Sequence, residues 1–245
     1  MTSLINHKNE TNVLIIGASS GVGFLLAKTL SNYMNVTAFA RREERLKSLN
    51  EFGIHTKSVD VNDHIKFKES VEELVINKGK ITHAIYCSGI QKIKPLRSFP
   101  YEDIQQIFQT NLVGPTFLGS LMASKKISTK ESVYCIVSSI AAYKPEPGIV
   151  PYSVSKAGLD ALIKGMALEL APRRFVAVAP GWLSTEMTRE YSHIFNDEYI
   201  EKLEKQSPLG IVKIDSIVDS IEFLISNKAK HITGQTLVVD GGSSL

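Results

Sequence analysis

The sequence predicts an α/β protein: a single-domain, doubly wound parallel sheet of about seven strands with helices on both faces. Short runs rich in β-branched residues alternate along the chain with longer amphipathic segments, which is the pattern of strands joined by crossover helices. The first run, Val13–Ile16, is continuously apolar, as expected of a strand covered on both faces. No repeat, low-complexity tract or Pro/Gly/Ser linker divides residues 1–245, so we expect one domain.

The first half of the chain is expected to contribute four strands and three helices. A Gly/Ser turn after Val13–Ile16 leads into a helical pattern from Val22 to about Tyr33. The charged segment Glu43–Glu51 forms the next helix, and the apolar spacing of a third helix appears at Ile65, Val71, Leu74 and Val75. The remaining strands of this half are expected at Val36–Ala40, Ile54–Val59 and Thr82–Cys87.

The second half continues the alternation. A long helical region is expected from roughly Glu102 to Lys126, and a second long helix over Ser153–Leu170. Shorter helices are expected at Glu198–Lys205 and Ile214–Ser226, and strands at Ser132–Ser138, Phe175–Ala179 and Thr236–Val239. Because right-handed crossovers bring the carboxyl ends of parallel strands to one edge, we expect a ligand to bind beyond those ends.

Composition narrows the class of protein. Hydrophobic residues make up 43% and charged residues 22% of the chain, as in an ordinary globular protein. The 28 basic and 25 acidic residues nearly balance, and no Lys/Arg block argues for a nucleic-acid surface. No apolar run approaches the roughly 18 residues of a membrane helix, and no metal-ligand spacing occurs. We therefore expect no nucleic acid, membrane or metal as a partner.

The cysteines and the N-terminal residues indicate the cellular compartment in which the protein is expected. Cys87 and Cys135 lie in apolar, strand-like runs, and buried thiols in a reducing compartment are the simplest interpretation. Residues 1–10 hold no apolar stretch of signal-peptide length, and we expect them to be a flexible N-terminus. The sequence thus predicts a cytoplasmic protein.

A glycine-rich turn with the spacing GxxxGxG follows the first strand and leads into a helix. Such a unit offers backbone N–H groups and a helix N-terminus to a pyrophosphate, and glycine permits the tight turn and the close approach that a Cβ would block. A turn of this composition can also be only a turn, but at this place it predicts a Rossmann-like dinucleotide site. Its candidate cofactor-binding residues are Gly17, Ser19, Ser20, Gly21, Val22 and Gly23.

The end of the second strand indicates which dinucleotide binds. An acidic residue here would hold the ribose 2′-hydroxyl of NAD, whereas an arginine accommodates a 2′-phosphate. The chain has Ala40 followed by Arg41 and Arg42, so NADP(H) is favoured over NAD(H). Alternatively, the arginines belong to the solvated face of the next helix, and this interpretation fits Arg42 better than Arg41.

Further motifs follow in a fixed order: Asn111, Ser139 in VSSIAA, Tyr152 and Lys156 in YSVSK, Pro180-Gly181, and GQTLVVDGG at 234–242. Together with the glycine loop, this set resembles the short-chain dehydrogenase/reductase family, in the branch that includes 3-oxoacyl-(acyl carrier protein) reductases. The resemblance extends from about residue 11 to residue 242.

The resemblance implies hydride transfer between a ketone and a secondary alcohol, with Tyr152 as proton donor and acceptor. Lys156 lies four residues later on the same helix face, and we expect it to lower the pKa of the phenol and to reach the nicotinamide ribose. Ser139 is expected to hydrogen-bond the substrate carbonyl. Asn111 is expected to hold a water that links Lys156 to solvent.

Other positions match cofactor contacts of the family. Asp60 and Val61 match the adenine-contacting position, although Asp60 can also be a plain strand-end residue. The other matching positions are Ser88, Gly89, Pro180, Gly181 and Thr185. Two departures stand out: Cys87 replaces an asparagine that normally braces the sheet, and Ser20 lies where many NADP-preferring members have a basic residue.

Substrate specificity is expected to come from segment 182–209 and from the residues after Ser139. The candidate substrate contacts are Ser139, Ile140, Ala141, Tyr152, Trp182 and Met187. Segment 182–209 is either an amphipathic lid or a surface helix with a core stripe. The substrate is a carbonyl compound, either carrier-bound, such as a 3-oxoacyl thioester, or a free small molecule.

Two other functions remain open. One is an NAD-dependent alcohol dehydrogenase acting on a sugar or another small secondary alcohol. The other is a catalytically silent nucleotide-binding or sensing protein, against which the retention of all four residues, Asn111, Ser139, Tyr152 and Lys156, argues. The resemblance also implies a homotetramer assembled through the two long helices, whose length and apolar content suit this, with a dimer as the alternative.

Overall fold

One sheet of seven strands forms the centre of the protein. The computed structural model describes residues 11–189, 191 and 196–245. All neighbouring strands run parallel, in the order β3-β2-β1-β4-β5-β6-β7. The strands are β1 Val13–Ile16, β2 Val36–Ala40, β3 His55–Ser58, β4 Ile81–Tyr86, β5 Ser128–Val137, β6 Arg174–Pro180 and β7 Gln235–Val239. The predicted single-domain parallel α/β sheet is confirmed.

The described residues form nine α-helices. They are α1 Gly21–Leu30, α2 Glu43–Asn50, α3 His64–Lys78, α4 Tyr101–Phe108, α5 Gly114–Ala123, α6 Val150–Glu169, α7 Glu186–Arg189, α8 Asp197–Gln206 and α9 Ile214–Ile225. Most of the predicted elements end within three residues of these bounds. The fifth strand begins four residues before its predicted start, and the sequence analysis did not anticipate α7.

The core divides into two layers, one on each face of the sheet. On β1, Val13 and Ile15 pack into one layer, which includes Leu26 of α1 and Ile217 of α9. The intervening Leu14 and Ile16 pack into the other, which includes residues of α3, α5 and α6. Since successive side chains of a strand point to opposite faces, a strand covered on both faces needs apolar residues throughout. This explains the uninterrupted VLII of β1.

The predicted helical region from Glu102 to Lys126 is confirmed, with bounds Tyr101–Ala123, but it is not one regular α-helix. Helix α4 ends at Phe108, a π-helical turn covers Gln109–Val113, and α5 then runs from Gly114 to Ala123. Pro115 supplies the physical reason. In an α-helix its N–H would bond to the carbonyl of Asn111, and proline has no N–H to donate. The π-helical turn therefore contains Asn111, a predicted site residue.

The topology leaves a crevice beside β1. This strand pairs with β2 on one side and with β4 on the other, so the connections that follow β1 and β4 leave in opposite directions. Ligands of open α/β sheets bind outside the strand ends at such a point. No helix in the described ranges is both long and apolar enough to cross a membrane. The same ranges contain no group of three or more His, Cys, Asp or Glu side chains suited to a metal ion.

Candidate active site

A cleft of about 450 Å³ opens beyond the carboxyl ends of the strands. Its walls come from the segments that follow β1, β2, β3, β4, β5 and β6. The predicted cofactor-binding residues that line it are Gly17, Ser19, Ser20, Gly21, Val22, Gly23, Arg41, Arg42, Val61, Ser88, Gly89, Pro180, Gly181 and Thr185. The predicted substrate contacts Ser139, Ile140, Ala141, Tyr152 and Trp182 line it too, as does Lys156. Residues far apart in sequence are thus brought to one crevice.

The glycine loop is held tightly against the end of β4. A Cβ on Gly17, whose φ is +87°, would lie 2.5 Å from the backbone nitrogen of Ser88. A Cβ on Gly23 would lie 2.4 Å from the carbonyl oxygen of Gly17. Contacts this short exclude any side chain at either position, which leaves the loop backbone exposed to the cleft.

The start of α1 is open to an anion. Ser20 is the N-cap residue of α1, but its side chain makes no capping hydrogen bond. Its hydroxyl instead accepts a hydrogen bond from Arg42 Nη2, at 3.0 Å. The first-turn N–H groups of α1 therefore keep their capacity to bind a negatively charged group, with the favourable end of the helix dipole behind them. This arrangement fits a pyrophosphate.

The two arginines after β2 differ in their contacts. The Arg42 guanidinium donates to the hydroxyl of Ser19, at 3.0 Å from Nη2 and 3.3 Å from Nε, and Nη1 forms an ion pair with Glu186 at 2.9 Å. Arg41 is exposed, and its guanidinium forms no hydrogen bond or ion pair with any residue in the described ranges. The Arg42 side chain is 47% exposed at the start of α2, as the solvated-face interpretation expects, and it also reaches back to the glycine loop.

The first two turns of α6 carry Tyr152 and Lys156. The helix begins at Val150, three residues before its predicted start, with Pro151 in its first turn. Tyr152 and Lys156 are 8% and 4% exposed, and the Lys156 ammonium lies 5.7 Å from the centroid of the Tyr152 ring. The four-residue spacing brings both to one face of the helix, as predicted.

Two partners from the end of β5 complete this group. The Ser139 hydroxyl lies near enough to the Tyr152 phenol to lower its pKa, and it accepts a hydrogen bond from the backbone N–H of Ala141, at 3.1 Å. Lys156 Nζ donates to the carbonyl oxygen of Val137, at 2.8 Å. The serine and the lysine are thus anchored to the same segment of chain, on either side of the phenol.

The pKa values of this group do not follow the sequence prediction. Burial raises the pKa of the Tyr152 phenol, and the group that opposes this shift is the Ser139 hydroxyl. The expected lowering by Lys156 is not found, since its ammonium lies over the ring and donates to Val137 instead. Burial also lowers the pKa of Lys156 to about 8, with Cys87 acting in the opposite direction.

Asn111 lies behind the cleft and does not line it. Its Nδ2 donates to the carbonyl oxygen of Ile90, at 2.9 Å, and to the hydroxyl of Ser155, at 3.1 Å, so both amide hydrogens are in use. Its Oδ1 accepts from the N–H of Ile90, at 2.8 Å. A Cβ built on Gly89 would lie 3.5 Å from this Oδ1 and 3.4 Å from Lys156 Nζ, so both atoms border the same glycine.

One predicted contact, Asp60, does not line the cleft, and a second, Met187, has a side chain outside the described residues. Asp60 is exposed, and its Oδ1 accepts from the backbone N–H of Asn62, at 2.9 Å, within the turn after β3. Its neighbours Val59 and Val61 line the cleft in its place. Met187 belongs to α7, but its side chain lies outside the described residues.

Part of the predicted lid can be described. Segment 182–209 contains α7 and α8, and Tyr199, Leu203 and Gln206 of α8 line the cleft. Residues 190 and 192–195 of this segment lie outside the described ranges, as does the predicted flexible terminus 1–10. Helix α8 therefore covers one side of the cleft.

A polar portion of the cleft lining was not predicted from the sequence. Its members come from four separate segments: Gln91, Lys144, Glu146, Tyr199, Gln206 and Ser243. Lys144 Nζ donates to the carbonyl oxygen of Ser243, at 2.6 Å, and so links the loop after β5 to the C-terminal segment. Lys144 and Glu146 follow Ser139 closely in the sequence, and this proximity could have identified them as residues of the cleft. Ser243 has no local signal, because only the fold brings it here.

Comparison with families and curated proteins gives consistent results. A family model described as enoyl-(acyl carrier protein) reductase matches residues 17–244. Gluconate 5-dehydrogenase of Gluconobacter oxydans is 30% identical over 239 residues, which cover 94% of this chain and 93% of that protein. A 3-oxoacyl-(acyl-carrier-protein) reductase of Rickettsia prowazekii is 30% identical over 233 residues, covering 94% and 95% of the two chains.

Solved structures give the same result. A Brucella melitensis protein described as a short-chain dehydrogenase/reductase of the glucose/ribitol dehydrogenase type has a TM-score of 0.89 and 25% identity, with 96% of this chain and 97% of that chain covered. A 4-hydroxyisoleucine dehydrogenase in complex with NADH has a TM-score of 0.88 and 26% identity, with 95% and 98% covered. The likeness extends over nearly the whole length of each chain.

Proposed function

Because the chain belongs to the short-chain dehydrogenase/reductase family, we propose that it is an NADP(H)-dependent reductase that converts a ketone to a secondary alcohol. The observation that carries the proposal is that Tyr152, Ser139 and Lys156 line one cleft that begins at the glycine loop, with the Lys156 ammonium 5.7 Å from the centroid of the Tyr152 ring. A phenol, a hydroxyl and an ammonium in this order can protonate an oxygen that develops negative charge.

The residues present fit a nicotinamide dinucleotide. The glycine loop, which excludes any Cβ at Gly17 and Gly23, and the uncapped start of α1 would hold the pyrophosphate. Arg41 and Arg42 would hold a 2′-phosphate, and Lys156 the nicotinamide ribose. When bound, the nicotinamide supplies the hydride in reduction or takes it up in oxidation.

The chain's own residues handle the proton. The Ser139 hydroxyl hydrogen-bonds the carbonyl oxygen of the substrate and stabilises the negative charge that develops on it. The Tyr152 phenol donates its proton to that oxygen, which completes the alcohol. At neutral pH a Lys156 pKa of about 8 leaves the amine largely protonated, so it can return a proton to the phenolate that remains.

Resupply of the proton is assigned to Lys156 and Asn111. Oδ1 of Asn111 accepts one hydrogen bond, from Ile90, and an amide oxygen can accept two. It borders Gly89 together with Lys156 Nζ. We therefore assign to this oxygen the water that passes protons between Lys156 and solvent.

A second candidate is supported by the polar part of the cleft. Lys144, Glu146, Tyr199 and Gln206 offer charged and hydrogen-bonding groups that suit a hydroxylated substrate better than a plain acyl chain. The carboxylate of Glu186 at Arg42 also reduces the positive charge offered to a 2′-phosphate. Both features favour an NAD-dependent dehydrogenase of a sugar or another small secondary alcohol as the alternative.

A parallel screen separates these candidates. The purified protein is mixed with NADPH or NADH and a panel of acyl thioesters, free ketones and keto-sugars, and loss of nicotinamide absorbance is followed. The proposal expects turnover of at least one carbonyl compound, faster with NADPH. Faster turnover with NADH on a keto-sugar would favour the alternative, and absence of nucleotide binding would contradict both.

Assembly and location belong to the same proposal. Val113, 45% exposed in the π-helical turn before α5, and Val154, 51% exposed on α6, present apolar surface on the two long helices. This supports a homotetramer, with a dimer as the alternative; light scattering on the eluting protein distinguishes them. Both cysteines are free, as a reducing cytoplasm permits.

A further inference from the structure

Glu186 joins the segment after β6 to the start of α2. It is the first residue of α7, and its Oε2 lies 2.9 Å from Arg42 Nη1. Its other carboxylate oxygen forms an ion pair with Arg45, one turn further along α2. One carboxylate thus binds two guanidinium groups of a different element.

This ion pair is built at the place where a nucleotide phosphate would be recognised. Arg42 is the residue whose guanidinium also donates to the hydroxyls of Ser19 and Ser20 in the glycine loop. Both Arg42 and Glu186 line the cleft. A carboxylate and a phosphate make the same demand on a guanidinium, since each accepts paired N–H···O bonds and carries negative charge.

A phosphate can replace the Glu186 carboxylate in its ion pair with Arg42. The side chains of Arg42, Arg45 and Glu186 are 47%, 46% and 36% exposed. Ion pairs at this exposure contribute little to stability, because water and salt screen them. A phosphate dianion competing for the same guanidinium has the larger charge, and it can displace the carboxylate without disturbing a buried network.

We propose that Glu186 is an internal competitor for the 2′-phosphate of NADP(H) at Arg42, and that it thereby sets how strongly the protein prefers NADP(H) to NAD(H). The inference rests on the proposed function, in which the arginines after β2 hold that phosphate. A nucleotide without a 2′-phosphate leaves the Glu186–Arg42 ion pair intact. A nucleotide with one must release it, which leaves Glu186 paired with Arg45 alone.

Two nucleotides that differ in the 2′-phosphate alone test the competition by binding. The dissociation constants of 2′,5′-ADP and 5′-AMP are measured by calorimetry on the full chain and on the variant Glu186→Gln, which keeps the shape and removes the charge. We expect 2′,5′-ADP to bind about fivefold more tightly to the variant, a change typical of one exposed charge pair, with 5′-AMP altered less than about twofold. The matched control is Glu73→Gln on α3, whose carboxylate pairs with Lys57 and does not line the cleft; it should change neither constant.

The outcomes are distinguishable. An unchanged or weaker affinity of Glu186→Gln for 2′,5′-ADP would overturn the competition, as would equal changes for both nucleotides, which indicate a structural role. If the unaltered protein binds 2′,5′-ADP no more tightly than 5′-AMP, the proposed NADP(H) preference itself fails. That comparison does not involve the variant, so the two failures cannot be confused.

Discussion

The side chain of Asn111 clamps the backbone of Ile90 from both sides, accepting from its N–H at 2.8 Å and donating to its carbonyl at 2.9 Å. Asn111 lies in the π-helical turn between α4 and α5, and Ile90 lies in the segment after β4. The amide therefore fixes the segment that contains Gly89 and lines the cleft. A residue that the sequence suggests for proton transfer also determines the shape of the cleft wall.

Replacing Asn111 by leucine should therefore destabilise the protein. The variant Asn111→Leu leaves the N–H and carbonyl of Ile90 without their partner in a partly buried position, which should lower the free energy of unfolding by about 2–3 kcal/mol. Urea denaturation measures this. As a control, Asn50→Leu removes an exposed hydrogen bond to Thr56 and should cost no more than about 0.5 kcal/mol. Equal losses in the two variants would contradict the clamp.

The arginine pair yields a prediction about nucleotide choice. Since Arg41 and Arg42 both line the cleft, Arg41→Ala and Arg42→Ala should each weaken NADPH binding about tenfold or more and change NADH binding less than about threefold. Fluorescence titration with the two nucleotides gives the four constants. Arg97→Ala, at an exposed position that does not line the cleft, is the control. Equal losses for NADPH and NADH would refute the assignment of the 2′-phosphate to these residues.

Lys156 should leave a signature in the pH dependence of stability. Its pKa is 10.5 when unfolded and about 8 when folded, because burial disfavours the ammonium. Between these values the unfolded chain binds a proton that the folded protein does not, so this group's contribution to stability rises with pH. Below pH 8 the full cost is present, about 3 kcal/mol. The variant Lys156→Met should therefore exceed the parent protein in stability at pH 7, by up to this amount.

The test of this burial cost is how the extra stability of Lys156→Met over the parent protein changes with pH. This extra stability should shrink as pH rises from 8 towards 10.5, as measured by urea midpoints at several pH values. Groups that do not interact with Lys156 titrate alike in both proteins and cancel in the difference, whereas Cys87 is coupled to Lys156. Lys164→Met, at an exposed position on the same helix, should show a difference that does not vary with pH. A stability gap for Lys156→Met that stays constant or widens with pH would show that the ammonium is not penalised by burial.

Much of the fold could be predicted because its signals are local. The strands of the sheet are set by short β-branched runs, and the glycine loop by steric demands that only glycine meets at Gly17 and Gly23. The break before α5 had a local signal as well, in Gly114-Pro115, since a proline cannot donate to the carbonyl four residues earlier. The prediction from sequence did not use this signal.

The contacts that the prediction missed depend on tertiary structure. Glu186 meets Arg42 only because the segment after β6 folds over the start of α2. Ser243 reaches the cleft because the C-terminal segment packs beside Pro180-Gly181 and bonds to Lys144. The pKa of Tyr152 depends on its burial and on where the Lys156 ammonium points, and neither follows from a four-residue spacing.

The central claim is that the Tyr152 phenol donates the proton to the substrate oxygen, and one comparison tests it most directly. Tyr152→Phe removes a single oxygen and keeps the ring that packs beside Lys156. Single-turnover and steady-state rates are measured with a carbonyl substrate identified by the screen, alongside the dissociation constant of NADPH. We expect turnover to fall about a hundredfold or more while NADPH affinity stays within about twofold. A variant that keeps most of its turnover, with NADPH bound as before, would contradict the account.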